Sequence, residues 1–444
     1  MSPKGVVGVI ENKRDAGLVR AVGPWALAAS IFNIVVGAGI FAVPSALAAS
    51  IGPYAPLAIV FCGLVVGAVA ICFAEGGSRL PTSGGPYGYI EAVFGPLVGY
   101  VAGTLLWFGD VLACGGVSAA LADVIASPSP PHLREPVRIV TIVGVIGTIA
   151  IVNISGVARG AALASTVSVL KLLPLAIFVI AGAFAVHAGH FAVEVHAGVA
   201  GLGRAVLLAL FAFIGMETSL SASGEIARPA STIPRALALS MGSITLLYVL
   251  IQVIAQGILG GALAASTAPL ADAMARINPG LQLLMLAGAA VSMFGWIGSD
   301  ILGSPRMLFA SARDGLLPAV LGRTHARYRT PHVAILSYAA IAIVLASTGS
   351  FVELAVLSTL TTTVLYSAGC MAAWLLARRG VAFAGTPLGF RWLGAAAATG
   401  IAGMLAMIAL ASRAEVLGLI ALICGSALLY QGIQWTRPSR VASS

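Results

Sequence analysis

The sequence predicts an all-helical membrane protein of twelve transmembrane helices, and three observations carry that prediction. First, the 444 residues are 59% hydrophobic and 9% charged, with a mean hydropathy of +1.03. A soluble domain is about 25% charged. Second, the apolar residues fall in long continuous runs, most of them reaching the ~20 residues that cross a ~30 Å hydrocarbon core. Membrane strands would instead alternate in units of ~10 residues. Third, with the N-terminus inside, 18 of the 24 lysines and arginines lie on the inner side. Five lie outside (Arg134, Arg138, Arg204, Arg276 and Arg413), and Lys171 falls within a span. This bias supports an even number of crossings with both termini cytoplasmic.

Taken in order, residues 1–22 are a polar, basic cytoplasmic tail. No cleavable leader is expected, because the first apolar run is itself long enough to span. The spans are 24–50, 54–78, 96–126, 137–157, 160–186, 203–221, 234–260, 279–309, 333–348, 352–377, 392–412 and 415–435, the ninth being short. Residues 437–444 form a second cytoplasmic tail, so one domain fills 23–436. The formal net charge of +9 reads as membrane sidedness rather than as a nucleic-acid footprint. Cys62, Cys72, Cys114, Cys370 and Cys424 all lie in apolar runs, and no CxxC occurs.

The first span contains NIVVGAGIFAVP, Asn33 to Pro44, with Gly37, Ala38 and Gly39 near its middle. A glycine weakens a helix by roughly 1 kcal/mol relative to alanine. The sixth contains LFAFIGMETSLSASGEIARP, where Gly215 is followed by an acid and small polar residues. Two interrupted helices, five apart, mark a binding site between inverted repeats. Backbone groups freed at membrane depth must face protein, water or a ligand. A half-helix N-terminus suits a carboxylate and a C-terminus suits an ammonium group. Together they suit a zwitterion. Close helix packing by small residues is the competing reading of the same glycines.

Four blocks then resemble the amino acid–polyamine–organocation superfamily of transporters: VGAGIF (36–41), PTSGGPYGYIEAVFGPLVGY (81–100), FAFIGMETSLSASGEIARPASTIPRAL (211–237) and LGSPRMLFASARDGLLP (302–318). FIGMETS is especially similar to the sixth helix of arginine/agmatine antiporters. The resemblance implies a LeuT-like five-plus-five inverted repeat, about 23–187 and 203–377, with broken helices 1 and 6. Helices 11 and 12, about 392–435, lie outside it. It also implies a substrate site built from Val35, Gly37, Ala38, Gly39, Cys114, Phe211, Ala212, Ile214, Gly215 and Asp300. Phe211 matches an aromatic that covers the substrate, and Cys114 a position on the pocket wall.

Ionisable residues inside spans are functional candidates by default, and here they are Asp110, Lys171, Glu217 and Asp300. Pro174 frees the carbonyl of Leu170 beside Lys171. The resemblance places this lysine where sodium-coupled relatives hold a cation, which implies a proton-coupling residue; snorkelling to an interface is the competing reading. Glu217 is either a second coupling residue or a carboxylate that caps freed N–H groups. Asp300 falls where the antiporters have a substrate-facing tryptophan. It is read as selecting cationic or hydroxylated side chains, as carrying a proton, or as pairing with a neighbouring helix. Asp110 has no matched role. His187, His190 and His196 fit no zinc spacing.

The expected function is secondary active transport of amino acids or related amines across the inner membrane, proton-coupled, with an exchanger as the alternative. There is no P-loop, HExxH or GxSxG, so neither ATP drive nor a membrane-embedded enzyme is supported. Nothing resembles a selectivity filter. No cofactor, metal or nucleic acid is expected. The expected partners are a small-molecule substrate, protons and the bilayer, with a homodimer left open.

Overall fold

The computed structural model describes residues 22–37, 39–80, 85–127, 129–156, 170–191, 199–220, 226–313, 315–382 and 386–436. Among these residues the protein is entirely helical, apart from one isolated parallel bridge between Val22 and Ile226. Nine helices are long and apolar enough to cross a membrane, and three shorter apolar helices accompany them: Pro24–Val35, Leu172–Ala183 and His332–Thr348.

The first apolar run is two helices, α1 (Pro24–Val35) and α2 (Gly39–Ile51). Then follow α3 (Ala55–Arg79), the short α4 (Pro86–Phe94), α5 (Pro96–Ala126) and α6 (Pro131–Ile154). The fifth run is described only from Leu170, as α7 (Leu172–Ala183). The sixth is again two pieces, α8 (Val199–Phe213) and α9 (Met216–Leu220). Next come α10 (Pro229–Leu259), α11 (Pro269–Ala275), α12 (Pro279–Gly303) and α13 (Pro305–Arg313). Last are α14 (His332–Thr348), α15 (Phe351–Arg378), α16 (Leu393–Leu410) and α17 (Arg413–Thr436).

Proline opens many of these helices at their first turn, where its missing N–H costs nothing. α15 starts on a full capping box. Ser350 accepts from the Glu353 N–H while the Glu353 carboxylate accepts from the Ser350 N–H.

Two packed groups emerge. α1, α3 and α10 lie together, with α8 against α3 and α9 against α1. α5, α6, α12 and α14 form the other. α15 bridges them, packing on α5 as well as on α3 and α8. α17 is the outlier: only 11% of its apolar window is buried. An apolar helix with so little protein around it is a lipid-facing one.

One contact ties α1 to α9, and a second ties the residues just ahead of α1 to those just ahead of α10. Ser30 and Ser219 hydroxyls lie 3.1 Å apart, and the Ala227 N–H donates to the Val22 carbonyl at 2.9 Å.

Candidate functional site

The break in the first run is sharp. Val36, at φ −75° and ψ 75°, is the centre of an inverse γ-turn, closed by the Gly37 N–H donating to the Val35 carbonyl at 2.8 Å. Helix resumes at Gly39; Ala38, between them, lies outside the described residues. The break in the sixth run turns on Gly215, whose φ of +128° an L side chain rarely adopts.

The carbonyls freed at the breaks need partners. Three side chains supply them. The Lys171 ammonium donates to the Asn33 carbonyl. The Trp296 indole N–H donates to Ile34 at 3.2 Å. The Tyr248 hydroxyl lies 2.8 Å from the Val35 carbonyl and 2.9 Å from that of Ala212, its one proton joining the two breaks. The freed carbonyls are thus buried in protein and satisfied by it. Lys171 is 3% exposed, and its partner is in α1 rather than the Leu170 carbonyl that the sequence offered it.

The glycines are also close-packed. A Cβ on Gly37 would stand 2.5 Å from the Trp296 ring, and one on Gly39 3.1 Å from the Ala212 Cα. Replacing Gly39 by valine is therefore expected to drive α2 off α8 and abolish substrate binding. Overpacking of this kind costs about 1–3 kcal/mol of stability, so Gly39→Ala is the milder companion. Isothermal titration of folded, monodisperse protein checks it, and wild-type affinity in the valine variant would remove the breaks from the binding site.

A small cavity of about 50 Å³ lies between the breaks. About 10–15 Å³ of such space holds one water, so it takes a few waters, and a larger guest requires side chains to move. Among the expected site residues it is lined by Ile214, Gly215 and Asp300, and by Lys171 and Glu217. Val35, Gly37, Gly39, Cys114, Phe211 and Ala212 are not in its lining. Cys114 is fully buried one turn from Asp110, which does line it. Phe211 instead packs edge-to-face on Phe351 at 5.6 Å. Both Phe351 and Phe41 of α2 line a second, larger cavity of about 630 Å³ bounded by α2, α5, α6, α11, α12 and α15.

The acids are all engaged. Glu217 Oε2 accepts from the Gly215 N–H at 3.2 Å and from the Tyr366 hydroxyl at 2.5 Å, so it caps the break and ties it to α15. Asp300 Oδ2 accepts from the Tyr338 hydroxyl at 2.5 Å. The Ser304 hydroxyl stands 2.7 Å from Asp110 Oδ2 and 3.0 Å from Asp300 Oδ1. The two aspartates of α5 and α12 are therefore one cluster, which their 190-residue separation in sequence conceals.

Sequence reasoning missed four residues here. Tyr248 and Trp296 hold the breaks. Ser292 Oγ and Asn33 Oδ1 line the small cavity without any hydrogen-bond partner among the described residues. Ser292, Trp296, Ser299 and Gly303 follow a helical stripe on α12, which periodicity could have revealed. Of the three histidines, His190 donates from Nδ1 to the Gly257 carbonyl (2.8 Å), and His196 lies outside the described residues.

The chain is 29% identical over 340 residues to an uncharacterized transporter of Mycobacterium tuberculosis, covering 70% of each chain. It is 24% identical over 368 residues to the branched-chain amino acid permease BcaP of Bacillus subtilis, covering 77% of each. Against the large neutral amino acids transporter small subunit 2 of Oryctolagus cuniculus it is 26% identical over 348 residues, 74% of this chain and 63% of that one. A sequence model described as amino acid permease matches residues 22–412, nearly all of the helical core, and the chain belongs to that family.

Proposed function

We propose that this multi-pass membrane protein is a secondary transporter of amino acids or related amines, driven by protons across the inner membrane by alternating access. The observation that carries the reading is the pair of breaks at Val36–Gly37 and Gly215, held around one cavity by Lys171, Trp296 and Tyr248. Twelve spans in a five-plus-five inverted repeat within 23–436, with cytoplasmic termini, fit the positions of the helices. α2 begins at the break, so its first-turn N–H groups lack intrahelical acceptors and its dipole favours a carboxylate. Asn33 Oδ1 and Ser292 Oγ offer unpaired polar atoms to the same guest. Relatives named for branched-chain and large neutral amino acids support a neutral side chain.

Lys171 would couple transport to protons by alternately holding and releasing the Asn33 carbonyl. Glu217 would sense protons through the cap it makes at Gly215. The Asp110–Asp300 cluster counts as holding a proton too. Three contacts join Tyr338, Asp300, Ser304 and Asp110, while the two hydroxyls supply two protons. A proton on one of the carboxyl groups would supply the third.

Uptake of labelled leucine, alanine and lysine into proteoliposomes tests the function. Saturable, stereospecific accumulation with the inside alkaline is the expected result. Accumulation only when the vesicles are preloaded with amino acid would make the protein an exchanger. Non-saturable flux would refute a transporter.

A further inference from the structure

The ends of α3 and α15 and the start of α16 border an open pocket of about 320 Å³, lined by none of the residues that line the cavity between the breaks. Its floor is a buried ion pair. Glu75 is fully buried, and both Nε and one terminal nitrogen of Arg79 reach its carboxylate at 2.7 Å. The same carboxylate accepts from the Gly389 and Phe390 N–H groups at 3.3 and 3.0 Å, and Arg79 donates to the Val381 carbonyl at 3.0 Å. The charge of Arg79 is therefore cancelled, and the loop ahead of α16 is fixed to α3.

Two further arginines line the pocket without such cancellation. Arg378 lies over the Trp374 ring at 4.6 Å, and Arg391 over the Trp392 ring at 5.3 Å. Neither has a carboxylate partner among the described residues. Stacking holds a guanidinium plane in place and leaves its N–H edge free for an anion. Apolar residues accompany them: Phe390 lines the pocket and is 36% exposed, and its loop neighbours Leu388 and Trp392 are 40% and 63% exposed. On α15, one turn deeper into the span than Trp374, Met371 is exposed as well.

We propose that this pocket binds the phosphate headgroup of an anionic phospholipid. Two uncancelled guanidinium groups match a phosphodiester. The aromatic and aliphatic rim lies where apolar spans end, the depth at which tryptophans and headgroups meet. Basic pockets between transmembrane helices at a membrane face take such headgroups. A soluble phosphate would match the charge but would leave the apolar rim unused. The bound lipid would join α3, of one packed group, to α15 and α16.

Native mass spectrometry of the full-length protein, equilibrated with phosphatidylglycerol or phosphatidylcholine in neutral detergent, tests this. The wild type is expected to retain phosphatidylglycerol in preference to phosphatidylcholine. Retention should fall about fivefold for each arginine removed in Arg378→Gln/Arg391→Gln. It should be unchanged in Arg323→Gln/Arg327→Gln, which removes two arginines elsewhere on the surface. If the pocket double variant does not fold, Arg391→Gln alone, in the exposed loop, should still lower retention. Equal retention of the two lipids, or equal loss in both double variants, would overturn the proposal. Displacement of the lipid by millimolar inorganic phosphate would reassign the pocket to a soluble anion.

Discussion

Replacing Lys171 by alanine is expected to abolish accumulation driven by a proton gradient while substrate binding stays measurable. One pH unit is worth about 1.36 kcal/mol per proton, so one-for-one coupling gives ~tenfold accumulation per unit. The variant should fall to no accumulation at all. The reason is positional. Lys171 is 3% exposed, and its ammonium holds the Asn33 carbonyl at the point where α1 ends. An amine that loses its proton there loses much of its hold on the break. The alanine variant has the same loose break at every pH, so a gradient has nothing to act on. Measurement of leucine uptake against external pH, with and without sodium, decides the matter. Sodium-dependent uptake by the wild type, or an unchanged pH response in the variant, would sink the assignment.

The second large effect is expected at Asp300. Asparagine mimics a protonated aspartate in shape and charge, and it can accept from Tyr338 while donating to Ser304. Asp300→Asn should therefore fold, keep the substrate ranking of the wild type and show a flattened pH profile. Asp300→Ala should do worse, since it strands the Tyr338 hydroxyl and leaves Ser304 with Asp110 alone, and an unmet buried polar group costs about 1–3 kcal/mol. Competition with alanine, serine, lysine and a diamine at two pH values separates the roles. Selective loss of the cationic competitors would make Asp300 a selectivity residue instead. No change in either ranking or pH profile would leave it with neither role.

What the sequence made legible was whatever repeats along one chain segment. Every apolar run overlaps a helix of the structure, because length and hydropathy are local quantities. Both breaks were found from Gly37–Gly39 and Gly215, since glycine and polar clusters interrupt a helix where they stand. The partners of those breaks were not found. Tyr248 is one of several polar side chains on α10, and only the packing of α10 on α1 brings its hydroxyl to Val35. The meeting of Asp110 and Asp300 through Ser304 is likewise a product of how α5 lies against α12. Pro174 pointed to a carbonyl near Lys171, but the amine turned to another helix. Side-chain partners are long-range facts, and a single sequence records only that each residue is costly where it sits.

Two links hold this region, one between α1 and α9 at Ser30–Ser219 and one between the residues just ahead of α1 and of α10 at Val22–Ala227. Two bolts at different heights stop a plank from twisting about either one. In the proposed alternating-access cycle the two half-helices would then swing as a single door leaf. A doorway closed by one rigid leaf has no ajar position in which one half has moved and the other has not. Solutes smaller than the cargo would find no crack to slip through during the cycle. Leak-tightness in such a carrier is therefore a property of the joinery between the half-helices as much as of the seal they make with the frame.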